Sequence, residues 1–474
     1  MVHCKDSFVN VRSRGADGSG DSDCTEQLQQ AIDEAAALGA TLFFPRGVYV
    51  AGTLYLRDNV TVKLADGACL RGNAATDCYP PIAPVVGSRM DNQPWKAFLY
   101  GSRLRNVTIE GAGSIEPNGE SDDFKNLKGN TPLRPYGMHL VSCTGVAVRG
   151  ITLKNSAFWM QRYFNCENLR ISGITVFNHC NFNNDGLNID GCRRVFVDNC
   201  RIDSSDDALV LKSEGEPMCE DVVVTNCILS SRSSALKLGT GSVGGFRRIA
   251  VSNCVIRPCE AEKIHHEIGV SDGLMGIDLG CVDGGILEDV VVSDTIMDGP
   301  ETPIFMRLGS RNSRPGGATV ERGRPMPGTR LESIMLSNIV ARNAGPIAAT
   351  IHGMPGCPLR DITLDTISLH HSRAGTERDL GLDVRDEGGD YPMNRMFQAN
   401  LPAFGFYVRH AANLSMRNIN LHAAPHEVRP GCVFDDIDGL RVDSMRIHSP
   451  RGDQRPVRFL RCRDRRTRDI GYVV

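Results

Sequence analysis

The sequence predicts an all-β fold: a single-stranded, right-handed parallel β-helix of about ten coils, with a capping helix at its N-terminal end. Three observations lead to this prediction. One apolar pattern recurs at nearly constant spacing, each copy contains short alternating strands with little helical periodicity, and one amphipathic helix precedes the copies. Because a solenoid grows by adding coils, we expect residues 1–474 to form one domain.

The repeat is clearest between residues 145 and 256. Equivalent apolar positions are separated by 23, 26, 27 and 27 residues, and they are Val146, Leu169, Val195, Val222 and Ile249. Less regular copies begin at Asp289, Ser333, Asp361, Asn413 and Gly439, which makes ten related segments. A single unit cannot bury its own apolar face, so we expect stacked coils whose equivalent residues lie about 4.8 Å apart. Cys200, Cys227 and Cys254 then form an inward ladder of small buried side chains, beside a ladder of Asn199, Asn226 and Asn253.

Other segments depart from the coil pattern. Helical spacing predicts the N-terminal cap at about residues 20–40, starting with a capping box from Asp23 to Glu26. Two insertions are expected, at about 308–330 and 373–400, and insertions in solenoids usually emerge on one face. The Arg-rich segment 451–468 is interpreted as a solvated terminus.

Composition excludes several classes of partner. A formal net charge of −3 and only 6% aromatic residues give no basic footprint for nucleic acid, and no apolar run is long enough to span a membrane. The first residues, Met1–Asp6, show no signal-peptide pattern, so we expect a cytoplasmic protein, or a periplasmic or secreted one if a leader has been removed. The 17 cysteines lack metal-type Cys-x-x-Cys pairs, and neither a metal nor another cofactor is expected.

Three carboxylates stand out ahead of two strand-like runs. Aligning the inward rows Leu187, Leu209, Leu236, Ile277 and Ile189, Leu211, Leu238, Leu279 places Asp185 and Asp207 at equivalent positions of adjacent coils, with Asp206 beside them. Two charges about 5 Å apart repel by roughly 3 kcal/mol at an effective dielectric near 20, or about two pKa units. Such a cluster is typical of coupled acids and bases rather than of turn carboxylates.

These residues resemble glycoside hydrolase family 28, the polygalacturonase and rhamnogalacturonan hydrolase family of the pectate-lyase-like superfamily. The similarity is carried by Phe8–Ala16, Phe44–Tyr49, and Asn183-Asn184-Asp185 with Asp206-Asp207. The resemblance implies a parallel β-helix in which Asp206 protonates the leaving oxygen. It also implies that Asp185 and Asp207 position and deprotonate the attacking water, with inversion at the anomeric carbon.

The sequence departs from the family on the next two coils. Ser233-Ser234-Ala235 replaces the usual Gly-His-Gly, and Asp278-Leu279-Gly280 replaces the usual Arg-Ile-Lys that holds a uronate. Candidate substrate-binding residues therefore extend beyond the motif: Lys212, Ser234, Lys237, Asp278, Arg307, Trp159, Gln161, Arg409 and His410. Lysines are expected to pair with a uronate, and Trp159 to stack on a sugar ring.

The resulting prediction is an exo-acting, inverting glycosidase that cleaves pectin-type oligosaccharides or polysaccharides, with the insertions closing one end of its groove. Three alternatives remain. A polysaccharide lyase would use Lys212 or Lys237 as its base, a non-catalytic carbohydrate-binding solenoid would explain the missing basic residues, and a sugar isomerase or transferase would release no reducing end.

Overall fold

Side chains alternate between the inside and the outside of a long coiled sheet, as the repeat predicts. The computed structural model describes residues 8–125, 133–261, 270–311, 323–449 and 456–473. Its strands are parallel in each pairing between coils, and they follow one another as a right-handed parallel β-helix. The predicted fold class is therefore confirmed.

The strands lie on three faces of the helix. The first face, called the site sheet below, contains β5 (Leu54–Tyr55), β8 (Ala97–Ser102), β11 (Tyr136–Val141), β14 (Gln161–Phe164), β17 (Leu187–Asp190), β20 (Leu209–Ser213), β23 (Ser234–Ser242), β26 (Met275–Cys281), β28 (Thr302–Leu308), β30 (Ala349–His352), the first parts of β32 (Phe406–His422) and β33 (Cys432–His448), and β34 (Val457–Leu460). The second face contains β1 (Phe8–Asn10), β3 (Thr41–Phe44), β6 (Thr61–Leu64), β9 (Arg105–Gly111), β12 (Thr144–Arg149), β15 (Glu167–Ser172), β18 (Arg193–Asp198), β21 (Cys219–Thr225), β24 (Phe246–Ser252), β27 (Ile286–Asp298), β29 (Arg330–Ala344), β31 (Leu359–His371) and β35 (Arg463–Val473). The third face contains β2 (Ser19–Asp23), β4 (Gly47–Ala51), β7 (Ala68–Gly72), β10 (Ser114–Glu116), β13 (Thr152–Lys154), β16 (Thr175–Asn178), β19 (Arg201–Ser204), β22 (Ile228–Ser231) and β25 (Cys254–Ile256), and then continues in the long strands from β27 onward.

The register confirms the ten aligned segments. Each predicted apolar position pairs with its equivalent on the next coil, from Val146 with Leu169 through to Leu414 with Leu440. The residue that begins most copies adopts a left-handed conformation, with φ between 54° and 57° at Asn168, Arg194, Asp221, Arg248, Asp289, Ser333, Asp361 and Asn413. The polar start of each copy is therefore a tight corner, which allows the chain to turn without losing register.

The core is one continuous apolar column inside the coils. It includes the ladder of Cys200, Cys227 and Cys254, which are buried and carry free thiols. Beside that ladder, the Asn226 side-chain amide donates to Asn199 Oδ1 at 3.5 Å on the outer surface.

The helices are short apart from the cap. They are α1 (Thr25–Leu38), α2 (Asp122–Lys125) and α3 (Glu377–Leu380), with 3-10 turns at Val11–Arg14 and Thr76–Cys78. The cap α1 lies where the sequence predicts it, but the predicted capping box is wrong. Cys24 is the N-cap residue, and the Asp23 carboxylate accepts from the Thr25 backbone N–H at 2.9 Å instead. In the part of the chain that the structure describes, no helix is long and apolar enough to cross a membrane.

The C-terminal segment gains a strand that the sequence did not predict. The side chains of residues 463–468 are exposed, in agreement with the interpretation of a solvated segment, and their backbone belongs to β35 (Arg463–Val473), which pairs with β33. Residues 451–455 lie outside the described residues, as do residues 312–322 of the first predicted insertion.

Candidate active site

The three aspartates lie where β17 and β20 begin. Strand pairing of Leu187 with Leu209 places Asp185 and Asp207 at equivalent positions of adjacent coils, as the sequence predicts. Both are almost fully buried, at 2% and 5% exposure, whereas Asp206 is partly exposed. The Asp206 carboxylate accepts from the Asp207 backbone N–H at 3.0 Å and lies 3.5 Å from the Asn183 side-chain nitrogen. The most accessible of the three carboxylates is therefore that of Asp206, the chain neighbour of Asp207.

A lysine pairs with each buried carboxylate. Lys212 Nζ lies 3.0 Å from Asp185 Oδ2, and Lys237 Nζ lies 3.1 Å from Asp207 Oδ2. Burial raises the pKa of the Asp185 carboxyl well above its ordinary range, and although Lys212 opposes this shift, Asp206 and Asp207 reinforce it. Burial and the neighbouring aspartates thus favour the protonated form of Asp185, whereas Lys212 favours its ionised form.

Lys237 also contacts the coil that departs from the family pattern. Its Nζ lies 3.6 Å from Asp278 Oδ2, and Asp278 accepts from Ser234 Oγ at 3.0 Å. Burial, the largest influence, raises the pKa of Asp278 to about 6 against the opposing field of Lys237. Burial acts to lower the pKa of Lys237, but Asp207 and the other surrounding acidic groups raise it well above its ordinary value. Ser234 and Asp278 thus connect to the reaction site through Lys237, and both are almost inaccessible to solvent.

The ring of Trp159 is covered by other side chains of the protein. Lys212 Nζ lies 3.4 Å from its ring centroid, and the Phe158 ring stacks on it at a centroid distance of 5.1 Å. Only 6% of Trp159 is exposed. The structure brings Trp159 to the site, as predicted, but gives it the task of positioning Lys212 rather than a free face for a sugar.

Gln161 does not reach the groove. It follows the inward row of β14, where its amide donates to the Gly186 carbonyl at 3.3 Å and accepts from the Tyr163 hydroxyl at 2.9 Å. The side chain is fully buried. Its predicted contact with substrate is replaced by a contact within the core.

Three other candidates hold the second insertion instead of lining the groove. Arg307 is buried and donates to the backbone carbonyls of Asp386 and Glu387, at 2.5 and 2.9 Å, and also contacts His352. Burial lowers its pKa to about 10, so it remains a cation. Arg409 and His410 both contact the Asp386 carboxylate, at 3.2 and 2.9 Å.

Several residues that position the site carry no signal in the repeat. Arg134 is fully buried and donates to the Phe182 carbonyl at 2.5 Å and to Asn183 Oδ1 at 2.9 Å, which fixes the turn before Asp185. Asn178 donates to the Asp185 carbonyl at 3.1 Å. Arg134 precedes β11 outside any aligned segment, so no pattern could have identified it.

Two segments outside the repeat pack against the site sheet near the carboxylates. On the N-terminal side, segment 79–96 is held by a bidentate pair of Arg89 with Glu214, at 2.7 and 3.1 Å, and by Asp91 with buried Arg162 at 2.7 Å. On the C-terminal side, the insertion places Tyr391 beside β23, where its hydroxyl accepts from Thr240 at 3.0 Å. The Tyr391 ring also lies 5.9 Å from Lys237 Nζ.

A parallel β-helix with paired acids on adjacent coils defines a class of carbohydrate-active proteins. The family model for glycosyl hydrolases family 28 matches residues 58–377. The chain therefore belongs to glycosyl hydrolase family 28.

Curated relatives match part of the chain. A probable polygalacturonase of Vitis vinifera is 27% identical over 223 residues, which are 45% of this chain and 45% of the relative. An exo-poly-alpha-D-galacturonosidase of Dickeya chrysanthemi is 32% identical over 132 residues, which are 26% of this chain and 22% of the relative. The chain thus spans less than half the length of these relatives.

Solved structures share the fold over more of its length. A hyperthermoactive exopolygalacturonase from Thermotoga maritima superposes with a TM-score of 0.67 at 20% identity, covering 88% of this chain and 92% of the other. A family 28 exopolygalacturonase of Yersinia enterocolitica gives 0.61 at 15% identity, covering 98% and 78%. At these identities the likeness concerns the fold.

Proposed function

We propose that the protein is an inverting glycoside hydrolase that removes sugars from the ends of pectin-type oligosaccharides, at galacturonide or related uronic or deoxy-sugar linkages. One observation carries the proposal. Asp185 and Asp207 occupy equivalent buried positions of adjacent coils, each with its own lysine, and the more accessible Asp206 directly precedes Asp207 in the chain. Family membership and the names of the relatives support the same reaction.

The acid is Asp206. It is the carboxyl of the three that solvent reaches most, so a glycosidic oxygen can approach it. In the reaction its proton passes to the leaving oxygen as the bond to the anomeric carbon breaks.

Asp185 and Asp207 are the groups that hold the attacking water. The water loses its proton to this pair as its oxygen bonds to the anomeric carbon from the face opposite the leaving group, which inverts the configuration. Lys212 and Lys237 fix the two carboxylates and offset part of their repulsion, so the pair needs little reorganisation during the reaction.

Action at chain ends is supported by two segments outside the repeat that cover parts of the site sheet near the carboxylates. Segment 79–96 is attached through Arg89 and Asp91, and the insertion at 373–400 reaches Lys237 through Tyr391. A polymer bound through its interior needs an open groove in both directions. A groove covered at its ends favours short substrates or chain termini.

A lyase is the weaker alternative. It would need a neutral lysine to remove the C5 proton, yet Lys212 lies 3.0 Å from the Asp185 carboxylate and the pKa of Lys237 is raised well above its ordinary value by neighbouring carboxylates. Lys237 therefore favours the protonated state, in which it cannot accept a proton, and Lys212 is already engaged by the Asp185 carboxylate.

The test is a time course on trigalacturonide and tetragalacturonide, with reducing-end release, ultraviolet absorbance and chromatography followed together. We expect one new reducing end per bond cleaved, monogalacturonide as the first product, and no absorbance from an unsaturated uronate. Absorbance would indicate elimination. A trimer gives a monomer and a dimer whichever bond is cleaved, so the tetramer decides the position of cleavage: dimers formed from tetragalacturonide at the start would exclude removal of single terminal sugars. Binding without any product would indicate a non-catalytic solenoid. Failure on galacturonides but cleavage of neutral or deoxy-sugar pectic oligosaccharides would keep the reaction and change the sugar.

A further inference from the structure

We propose that His179, Asp203 and Cys259 form a binding site for a zinc-class divalent metal ion that fastens a surface segment beside the catalytic turn. His179 Nε2 lies 2.7 Å from Asp203 Oδ1, and the ligand atoms of all three residues lie within 4.8 Å of one another. His179 and Asp203 are each 3% exposed. The site is separate from the carboxylates of the proposed hydrolysis and does not depend on that function.

The three ligands come from different coils. His179 directly follows β16, and Asp203 lies in β19, which pairs with β16 on the next coil. Cys259 follows β25, which is two coils beyond β19, since β22 lies between them. Segment 257–261 therefore folds back across an intervening coil to bring its thiol to the pair.

Polar contacts hold that segment in place independently of a metal. The Glu260 backbone N–H donates to Asp203 Oδ2 at 3.0 Å, and the Glu260 carboxylate pairs with Arg201 at 2.5 Å. Arg232 donates to the Ala261 carbonyl. The Asp203 carboxylate is thus oriented so that its other oxygen, Oδ1, faces the histidine, and the site is preformed.

The donor set suits zinc. Imidazole nitrogen, thiolate and carboxylate are its usual ligands, and tetrahedral coordination separates such ligand atoms by about 3.3–3.6 Å. The ligand atoms here lie between 2.7 Å and 4.8 Å apart, a range that includes this separation. The hydrogen-bonded atoms of His179 and Asp203 need to move apart by about half an ångström to admit the ion. The Cys259 thiol proton and the proton shared by the histidine and the carboxylate leave to solvent, and a water completes four ligands.

Cys259 differs from the ladder cysteines in its surroundings. Cys200, Cys227 and Cys254 face the apolar core, whereas Cys259 lies against a carboxylate and an imidazole. The thiol sulfur also approaches the Ser204 carbonyl at 3.7 Å, and the Ser204 hydroxyl donates to the Asp206 carbonyl at 2.9 Å. A metal here would hold segment 257–261 against the turn that carries the proposed acid. The three residues form no motif in the sequence, because they are spread over three coils.

The experiment titrates the metal-free full-length protein, under reducing conditions, with Co²⁺ and then Zn²⁺. We expect about one equivalent of cobalt to bind with the intense visible bands of tetrahedral coordination and a thiolate-to-metal charge-transfer band, and zinc to displace it. Thermal unfolding of the same samples should shift upward with zinc and return after chelation.

Matched variants test which residues coordinate the metal. Cys259→Ser should abolish the charge-transfer band and reduce cobalt affinity at least about tenfold, and His179→Gln should weaken binding to a similar extent. Cys357→Ser, which changes a partly buried thiol next to the Thr329 carbonyl, should leave both unchanged. Unchanged cobalt spectra in Cys259→Ser, or the absence of stoichiometric binding to the folded parent protein, would overturn the proposal. If either variant unfolds, Asp203→Asn and the cobalt spectrum of the parent still decide it.

Discussion

Two parts of the site sheet use its outward-facing side chains in opposite ways. Around β17, β20 and β23, Lys212 and Lys237 pair with the carboxylates of the proposed reaction. Further along, Arg307 lies two coils beyond Lys237, or about 10 Å along the axis, and Arg409 lies four coils beyond it. Those two arginines are covered by the insertion and hold its backbone. Alternation along a strand therefore predicts which side chains point outward. Whether an outward side chain contacts the carboxylates or the insertion depends on where the insertion packs.

We expect the largest effect from a pair of substitutions, one in each of the two regions. Lys237→Met removes the cation between Asp207 and Asp278, and Arg307→Met removes the donors to residues 386 and 387. Breaking a buried charge pair costs about 3–5 kcal/mol, so we expect Lys237→Met to lower the free energy of unfolding by that order, measured by denaturant titration. It should also lose activity.

Arg307→Met should likewise lose stability, because several buried carbonyls lose their donor. Its intrinsic rate on a disaccharide substrate should stay within a few-fold of the parent, since Arg307 is far from the carboxylates. A loss of rate in Arg307→Met equal to that in Lys237→Met would show that the two regions act as one.

The next effect concerns Asp278 and pH. Its pKa is about 6 in the folded protein and about 3.8 in an unfolded chain, so the folded state binds more protons between these values. Stability contributed by this group is therefore lost as pH rises from about 4 to about 6, by up to about 3 kcal/mol. Asp278→Asn removes this titration and keeps an acceptor for Ser234.

Relative to the parent, the Asp278→Asn variant should gain stability as pH rises from 4 to 7. Denaturant titrations at four pH values measure this difference. A difference that is constant with pH would mean that Asp278 ionises normally. Asp198→Asn, on β18 of the second face, provides the control carboxylate.

Loss of the proposed acid comes third. Asp206→Asn should reduce kcat at least about a hundredfold, since an amide cannot donate the catalytic proton. Thermal stability should change little, because the backbone contacts of this turn remain. Near-normal turnover in a folded Asp206→Asn variant would remove Asp206 from that role.

The smallest effect concerns the end of the groove. Tyr391→Phe removes the hydroxyl that accepts from Thr240 and keeps the ring beside Lys237. We expect a loss of about 0.5–1.5 kcal/mol or less in stability, and a turnover within a few-fold of the parent. Tyr391→Ala, which removes the ring, should instead change the pattern of products from tetragalacturonide. Identical products from both variants and the parent would show that Tyr391 does not close the end of the groove.

The repeat predicted the fold and the register because apolar periodicity is local information. The inward rows through Leu187 and Ile189 place Asp185, Asp207 and Lys237 without any further contact being known. The capping box was wrongly predicted and the terminal strand was missed, because helix capping and end coils depend on single contacts, such as Asp23 with the Thr25 backbone.

The surroundings of the site were harder to predict. Arg134, Arg89 and Tyr391 reach it from segments outside the repeat, through contacts separated by 49, 125 and 151 positions in the chain. Such contacts depend on how loops cross the coils, which no periodic pattern encodes. Trp159 and Arg307 were placed on the correct face, but the groups that cover them come from other segments.

The most direct test of the proposed reaction is the anomeric configuration of the first product. Proton NMR during the first minutes of cleavage of an α-linked galacturonide, before mutarotation, should show the β anomer, because water enters opposite the leaving group when acid and base act on different faces. Asp206→Asn should give no signal on the same timescale. An initial α anomer would mean retention through a covalent intermediate and would contradict the role assigned to Asp185 and Asp207.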